Sequence, residues 1–266
     1  MTHSRNGNLF FLIGLVVSLS ASMVFADDED RDYSHGEDAQ EFVHGSPETI
    51  SEPWLLAAGG RIYDNWADAL DRELPESTHP AYPASSKQSG STTWRCKECH
   101  GWDYRGAAGI YRDGSHFTGI KGIEGAIGMP EPAIAALLRS SVHGYTPDMI
   151  SDDEMPRITA FVTRGQVDVS KYIDLSNRAV IAGDATVGRG VFQTVCAACH
   201  GFDGKRLDWG EGDDHAYVGT EAAAAPDEVL HKILSAHPGV EMANLRAFGG
   251  DIAADVLAYL ITLPEK

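Results

Sequence analysis

The cysteines of this 266-residue chain are confined to two pentapeptides with the same pattern. Residues 96–100 read Cys-Lys-Glu-Cys-His, and residues 196–200 read Cys-Ala-Ala-Cys-His. Two thiols three positions apart fall on one turn of a helix, and a histidine follows the second thiol directly. Because the two copies use all four cysteines, any cysteine chemistry of the chain takes place at these two segments.

The C-x-x-C-H pattern is the attachment signature of c-type haem. The two thiols add to the two vinyl groups of one porphyrin, and the histidine supplies an axial nitrogen to the iron. The predicted haem-binding residues are Cys96, Cys99, His100, Cys196, Cys199 and His200. We therefore predict two covalently bound haem c groups, with His100 and His200 as iron ligands.

A C-x-x-C pair also occurs in redox dithiols and in zinc sites. A zinc ribbon brings its two pairs within roughly twenty residues of each other, whereas the pairs at 96 and 196 are much further apart. A redox dithiol does not require a histidine after the second thiol, and here the histidine follows twice. Both features favour haem attachment over these alternatives.

The chain is strongly acidic, with a formal net charge of −18 at pH 7. This charge argues against binding to nucleic acid or anionic lipid, whose phosphates require lysine and arginine. It suits docking to a basic patch on a redox partner protein, because such steering raises association rates. The alternative is that the acidity only confers solubility.

No nucleotide loop, nucleophile elbow or paired carboxylate site stands out, so no small-molecule substrate is expected.

The first residues have the pattern of an export signal. A positive start is followed by an apolar run from Leu9 to Leu19, and small residues end at Ala26. We predict that residues 1–26 are a signal peptide and that the protein is periplasmic, with an uncleaved membrane anchor as the alternative. Residues 27–47 are acidic and poor in apolar residues, which predicts a disordered tail.

Apolar periodicity and helix-start signals predict an all-α fold of two haem domains in tandem, with long irregular loops. The first domain comprises residues 48–166. Its predicted helices are 53–70, 132–142 and 152–165. Three prolines and several serines in residues 75–93 predict a long surface loop between the first helix and the haem motif.

A connector of mixed polarity, residues 167–182, leads to the second domain, residues 183–266. This domain reaches its haem motif without a long insertion. A polar, glycine-rich loop is predicted for residues 201–225, a helix from Pro226, and a final helix for residues 251–263.

The two halves repeat each other. Residues 99–103 and 199–203 both read Cys-His-Gly-aromatic-Asp. Residues 59–63 and 188–192 each begin with a glycine and end with an aromatic residue one helical turn later. Self-similarity of this kind predicts a duplicated domain.

The sixth ligand decides whether each iron is closed or open to outside molecules. In the second half the predicted ligand is Met242, which precedes the last helix, and His237 is the alternative. In the first half Met149 lies in the matching place and is the predicted ligand. The competing residues in the first half are Met129, His143 and Met155.

Each half resembles the small class I c-type cytochromes, the mitochondrial cytochrome c-like family. The residues that carry the resemblance in the second half are Gly183-Asp184, Gly188, Phe192, Cys196 to Gly201, Met242 and Asp255-Val-Leu-Ala-Tyr259-Leu. The resemblance implies that Phe192 and Tyr259 pack where the first and last helices cross, and that Tyr63 and Phe161 do so in the first half. The insertion 75–93 departs from the family pattern.

The resemblance to this family implies an exported dihaem carrier that passes single electrons between protein partners. Two other functions remain open. One is a dihaem enzyme, of the sulfur-compound oxidase or peroxidase type, in which one haem takes substrate. The other is an electron-transfer subunit of a membrane-associated dehydrogenase or respiratory complex.

Overall fold

The computed structural model of this protein describes residues 42–266. The predicted signal peptide, residues 1–26, and most of the predicted tail lie outside the described residues. The described part is mostly helical, with 48% helix and 4% strand, which confirms the all-α class. None of the helices described is both long and apolar enough to cross a membrane.

Nine α-helices occur in residues 42–266. In the first half they are α1 (Glu52–Ala69), α2 (Cys96–His100), α3 (Glu131–Arg139) and α4 (Met155–Ala160). In the second half they are α5 (Ala185–Val191), α6 (Ala197–His200), α7 (Val218–Ala224), α8 (Pro226–Ser235) and α9 (Gly249–Leu260). Two segments of wider π-helical winding, Phe161–Gly165 and Phe192–Cys196, extend α4 and α5.

Helix α1 begins at a capped end and crosses α4. The Ser51 hydroxyl accepts a hydrogen bond from the Trp54 amide (3.3 Å), which satisfies one of the free donors of the first turn. At Gly59 a Cβ would lie 2.0 Å from a backbone carbonyl oxygen of α4, so only glycine allows this approach. One turn later Tyr63 packs against Phe161, with ring centroids 5.3 Å apart.

Helices α5 and α9 of the second half repeat this crossing. A Cβ at Gly188 would lie 1.8 Å from a backbone carbonyl oxygen of α9. One turn later Phe192 packs against Tyr259, with ring centroids 5.5 Å apart. The aromatic pair expected in each half is therefore present, and the repeated glycine marks the point where the helices cross.

The two halves pack against each other through α1 and α8. His231 of α8 is buried between them, and its Nε2 donates a hydrogen bond to the Gly60 carbonyl oxygen (2.9 Å). Its Nδ1 accepts a hydrogen bond from the Tyr104 hydroxyl (2.9 Å). Burial lowers the pKa of His231 to about 4, so the ring is neutral and both nitrogens are satisfied.

Two irregular parts of the sequence contain structure that periodicity did not predict. The polar loop 201–225 contains α7, and the connector 167–182 contains a hairpin of β1 (Ile173–Asp174) paired antiparallel with β2 (Ala179–Val180). A strand of two residues has no measurable alternation, and a helix of two turns has little periodicity. Both elements are therefore too short to be predicted from hydrophobic periodicity.

The predicted surface loop and the end of the predicted tail both make buried contacts. His79 and Tyr82, within residues 75–93, are 8% and 5% exposed. The loop is therefore only partly a surface segment. In the described end of the tail, residues 42–47, the Nδ1 of His44 donates a hydrogen bond to the Ala69 carbonyl oxygen (3.2 Å).

Candidate functional site

The two Cys-x-x-Cys-His segments have the same backbone geometry. Each histidine ends a short helix and is followed by a glycine in the left-handed region, with φ of 77° at Gly101 and 81° at Gly201. The amide of each glycine donates to the carbonyl four residues earlier, and both hydrogen bonds are 2.9 Å long. Glycine is required here because other residues adopt this φ only at a cost.

The residues that follow each histidine also match. The His100 carbonyl accepts a hydrogen bond from the Gly106 amide (2.8 Å), and the His200 carbonyl accepts one from the Arg206 amide (2.9 Å). The carboxylates of Asp103 and Asp203 each accept a hydrogen bond from the amide two residues later, at 3.2 and 3.1 Å. The repeated sequence therefore forms the same turn twice, and this turn holds each histidine at the end of its helix.

All four cysteines are free thiols. Burial raises the pKa of Cys96 to about 11, of Cys99 to about 12 and of Cys196 to about 11. Cys199 is exposed. Catalytic redox dithiols have a thiol with a lowered pKa, so the raised values of Cys96 and Cys99 disfavour a redox dithiol in the first motif.

His100 is oriented by a backbone carbonyl. Its Nδ1 donates a hydrogen bond to the Lys121 carbonyl oxygen (2.8 Å). Burial lowers the pKa of His100 to about 4, so the ring is neutral and Nε2 carries the lone pair. A hydrogen bond from one nitrogen to a carbonyl is the usual way in which a metal-binding histidine is oriented for coordination through the other.

His143 lies next to His100, with ring centroids 6.3 Å apart and ring planes inclined by 33°. The Nδ1 of His143 donates a hydrogen bond to the Leu137 carbonyl oxygen (3.2 Å), so Nε2 has no partner among residues 42–266 and carries the lone pair of this ring. Burial lowers the pKa of His143 as well. The structure thus brings together two neutral imidazoles, each with Nε2 available as a ligand.

Met149, the predicted sixth ligand of the first haem, is half-buried at the edge of the core of the first half. Its backbone carbonyl accepts a hydrogen bond from Arg72 (2.9 Å), whose guanidinium also pairs with Glu154. Of the other candidates, Met155 is buried and Met129 is 43% exposed. The assignment of Met149 to the iron therefore stays a prediction, and His143 is the competitor placed beside His100.

The second motif has a different environment. The Nδ1 of His200 is buried and has no hydrogen-bond partner among residues 42–266. Phe192 and Trp209 flank the ring, each with a centroid distance of 6.4 Å. A buried imidazole nitrogen without a hydrogen-bond partner lowers the stability of the fold. The His200 ring therefore differs from the His100 ring, which a hydrogen bond to the Lys121 carbonyl orients.

Met242, the predicted sixth ligand of the second haem, is half-buried and lines a cleft of about 410 Å³. Trp54 and Arg61 of α1 form part of the wall of the same cleft. The alternative ligand, His237, donates its Nδ1 hydrogen bond to the Pro238 carbonyl oxygen (2.8 Å). Neither assignment is tested by these contacts, and both stay predictions.

Large apolar side chains are exposed around the second motif. Val195 is 44% exposed, Phe202 75% and Trp209 45%. These side chains and the exposed residue Cys199 lie within nine positions of His200 along the chain. Apolar surface of this kind suits a large apolar group bound on it, which agrees with the haem expected here.

Sequence reasoning did not find His79 and Tyr145 in the first site. The Nε2 of His79 donates to the His143 carbonyl oxygen (2.8 Å), and the Tyr145 hydroxyl lies 3.7 Å from the Cys96 thiol. His79 lies in the insertion that departs from the family pattern, so the resemblance gave no signal for it. Tyr145 follows His143 by two residues. Its sequence context does not distinguish it from an aromatic residue on the surface, and its burial is visible only in the structure.

Within residues 42–266, no group of three or more His, Cys, Asp or Glu side chains is arranged to hold a metal ion. The donors of the first site fit haem, because two thiols on one helical turn lie beside two neutral imidazoles. No protein-family model matches the chain, and no curated protein matches it in sequence.

Proposed function

We propose that this protein is an exported dihaem c-type cytochrome that transfers single electrons between protein partners. The observation that carries the proposal is the duplicated geometry around the two motifs. In each half a glycine-mediated helix crossing and an aromatic pair accompany two thiols and a histidine at the end of a short helix. The proposal assigns one cytochrome c-like domain to residues 48–166 and a second to residues 183–266.

Haem bound at these positions would supply reversible one-electron chemistry. The protein's own residues hold and shield the group. In the first half Cys96 and Cys99 would hold the group covalently, and His100, whose orientation the Lys121 carbonyl fixes, would bind the iron. Tyr63 and Phe161, both buried, exclude water from the core at the helix crossing.

The high negative charge supports docking to proteins with a basic patch. Buried acidic groups are already paired, for example Asp64 with Arg95 and Asp227 with Arg178. The unpaired acidic charge therefore lies mostly on the surface, where it steers a positively charged partner. We expect electron transfer to this protein to slow as ionic strength rises.

Variants of the two motifs test the proposal. We expect one covalent haem per chain in the Cys96→Ala/Cys99→Ala variant and one in the Cys196→Ala/Cys199→Ala variant, against two in the wild type. Absorbance of the denatured protein, compared with peptide concentration, gives the haem count. Absence of covalent haem from the wild type would refute the proposal, and so would two haems in either variant.

A second candidate function is a dihaem enzyme with one substrate-accessible haem. The observation that favours it is the exposure around the second motif, where the Cys199 thiol and the Phe202 side chain are open to solvent. The two functions differ in their response to cyanide. If the protein is a carrier, cyanide added to the oxidised protein should leave the spectra of both haems unchanged. If it is an enzyme, cyanide should bind the second haem and change its spectrum.

Export is tested by the N-terminus of the mature protein. Cleavage after Ala26 would leave Asp27 as the first residue and place the protein in the periplasm. An intact N-terminus in the membrane fraction would favour the anchored alternative. The described residues 42–266 do not include this segment.

A further inference from the structure

The spacing of His100 and His143 equals the spacing of two imidazoles on opposite sides of one metal ion. A metal–imidazole bond is about 2.0 Å long, and ring bonds of about 1.33 Å place each nitrogen roughly 1.13 Å from its ring centroid. Two such bonds in line separate the centroids by about 6.3 Å. The observed separation is 6.3 Å.

The two ring planes are inclined by 33°, which is neither the offset-stacked nor the edge-to-face arrangement that aromatic pairs prefer. The two rings also do not share a hydrogen bond through Nδ1, because both Nδ1 atoms donate to backbone carbonyls. The acceptors are Lys121, at 2.8 Å, and Leu137, at 3.2 Å. The remaining polar atom of each ring is Nε2, the atom through which histidine binds haem iron.

The turn that carries His143 is held by hydrogen bonds at both ends. Helix α3 ends at Arg139, and the Ser140 carbonyl accepts hydrogen bonds from the amides of His143 (3.2 Å) and Gly144 (2.7 Å). The Tyr145 amide then donates to the Leu138 carbonyl (3.2 Å). The chain therefore turns back against α3, and His143 lies at the tip of this turn.

His79 holds the turn from the other side. The amide of Ala81 donates a hydrogen bond to Nδ1 of His79 (3.1 Å), so Nδ1 is the acceptor of this ring and Nε2 is its donor. That Nε2 donates to the His143 carbonyl oxygen (2.8 Å). The His79 ring also packs edge-on against Trp94, with centroids 4.4 Å apart, just before the first haem motif.

We propose that His143 is the sixth ligand of the first haem and that His79 is a positioning residue for it. The inference rests on the proposed function, because it requires haem at Cys96 and Cys99. It gives the insertion 75–93 a role, since this segment supplies the residue that fixes the His143 turn. The second half reaches its motif without such an insertion, so the two haems have different surroundings.

A consequence is that the first haem has the lower reduction potential if Met242 binds the second. A methionine ligand raises the potential of haem iron relative to two histidines. Electrons would then pass from the first half to the second. The two halves share the buried contact of His231 with Tyr104 and Gly60, which keeps their arrangement fixed.

Spectra of the intact dihaem protein test the ligand. We expect His143→Ala to convert half of the oxidised haem from low to high spin in electron paramagnetic resonance, and free imidazole to restore it. The matched control, Met149→Leu, should leave the spectrum unchanged. Conversion by Met149→Leu with no change in His143→Ala would overturn the inference.

The wild-type near-infrared spectrum gives a second readout that does not depend on folding of a variant. It should contain the methionine-to-iron band of one haem at most, and an intensity equal to two haems would overturn the inference. Covalent haem is counted first in each sample. Absence of haem refutes the proposed function, whereas two haems with methionine bands refute only the role of His143.

The positioning role of His79 is tested by removal and by rescue. His79→Leu removes the donor to the His143 carbonyl and should produce a high-spin fraction at the first haem with the haem count unchanged. His79→Gln keeps an N–H donor and should restore most of the low-spin signal. Equal spectra for wild type and His79→Leu would show that His79 does not position the ligand.

Discussion

Replacement of Gly188 by alanine tests whether a close helix crossing organises the second half. A Cβ at this position would lie 1.8 Å from the Asp255 carbonyl oxygen and 2.4 Å from the Asp255 carbonyl carbon. Both atoms belong to the backbone of α9, so they cannot rotate away as a flexible side chain would. The two helices must instead separate by about 1.5 Å or more to reach ordinary contact distances.

The expected cost follows from two opposing effects. Inserting a methyl group into a packed interface costs about 1–3 kcal/mol, and a rigid backbone neighbour places Gly188→Ala at the upper end. Alanine is a better helix former than glycine by about 1 kcal/mol, which offsets part of this cost. We therefore expect the free energy of unfolding to fall by about 2 kcal/mol.

Gly190 provides a matched control on the same helix. A Cβ at Gly190 meets no atom within 4 Å, so Gly190→Ala should stabilise the protein by up to about 1 kcal/mol. Urea unfolding followed by circular dichroism measures both variants, and the two should differ by about 3 kcal/mol. Equal effects, or a stabilising Gly188→Ala, would refute the helix crossing.

Two further predictions concern buried polar groups. Burial raises the pKa of Asp227 to about 6 although Arg178 lies 3.2 Å away, so the folded protein binds a proton more tightly than the unfolded chain. The wild type should therefore lose stability relative to Asp227→Asn as pH rises from about 4 to 7, by at most about 3 kcal/mol, and urea titrations at each pH measure this difference. A constant difference would contradict burial of the carboxyl group. Tyr104→Phe leaves Nδ1 of His231 without its donor and should cost about 1–3 kcal/mol in urea unfolding, whereas no change would contradict the contact between the halves.

The sequence was most informative where one residue type is required by covalent chemistry or close packing. The spacing of the thiols predicted that each cysteine pair shares one helical turn, and the structure has a short helix at each motif that ends at the histidine. The glycine and aromatic residue one turn apart, at 59–63 and 188–192, predicted a repeat, and the resemblance implied the aromatic pairs that the structure has at both helix crossings. The helices at 53–70, 132–142 and 251–263 were found within a few residues of their predicted bounds.

The sequence was least informative where contacts join distant segments. His79 and His143 are 64 positions apart, and no local pattern connects a loop histidine to a carbonyl so far along the chain. A lone histidine in a loop is usually a surface residue, so no feature of the sequence distinguishes the buried His79 from an exposed one. The sequence favoured Met149 over His143 because Met149 lies in the place that matches Met242, whereas the proximity of His143 to His100 is visible only in three dimensions.

The central claim is that each Cys-x-x-Cys-His segment carries a covalent haem. Mass spectrometry of the intact purified protein under denaturing conditions tests it most directly. We predict a mass equal to the polypeptide, without residues 1–26 if the signal is cleaved, plus two haem groups. A colourless protein whose mass equals that of the polypeptide alone would contradict the claim.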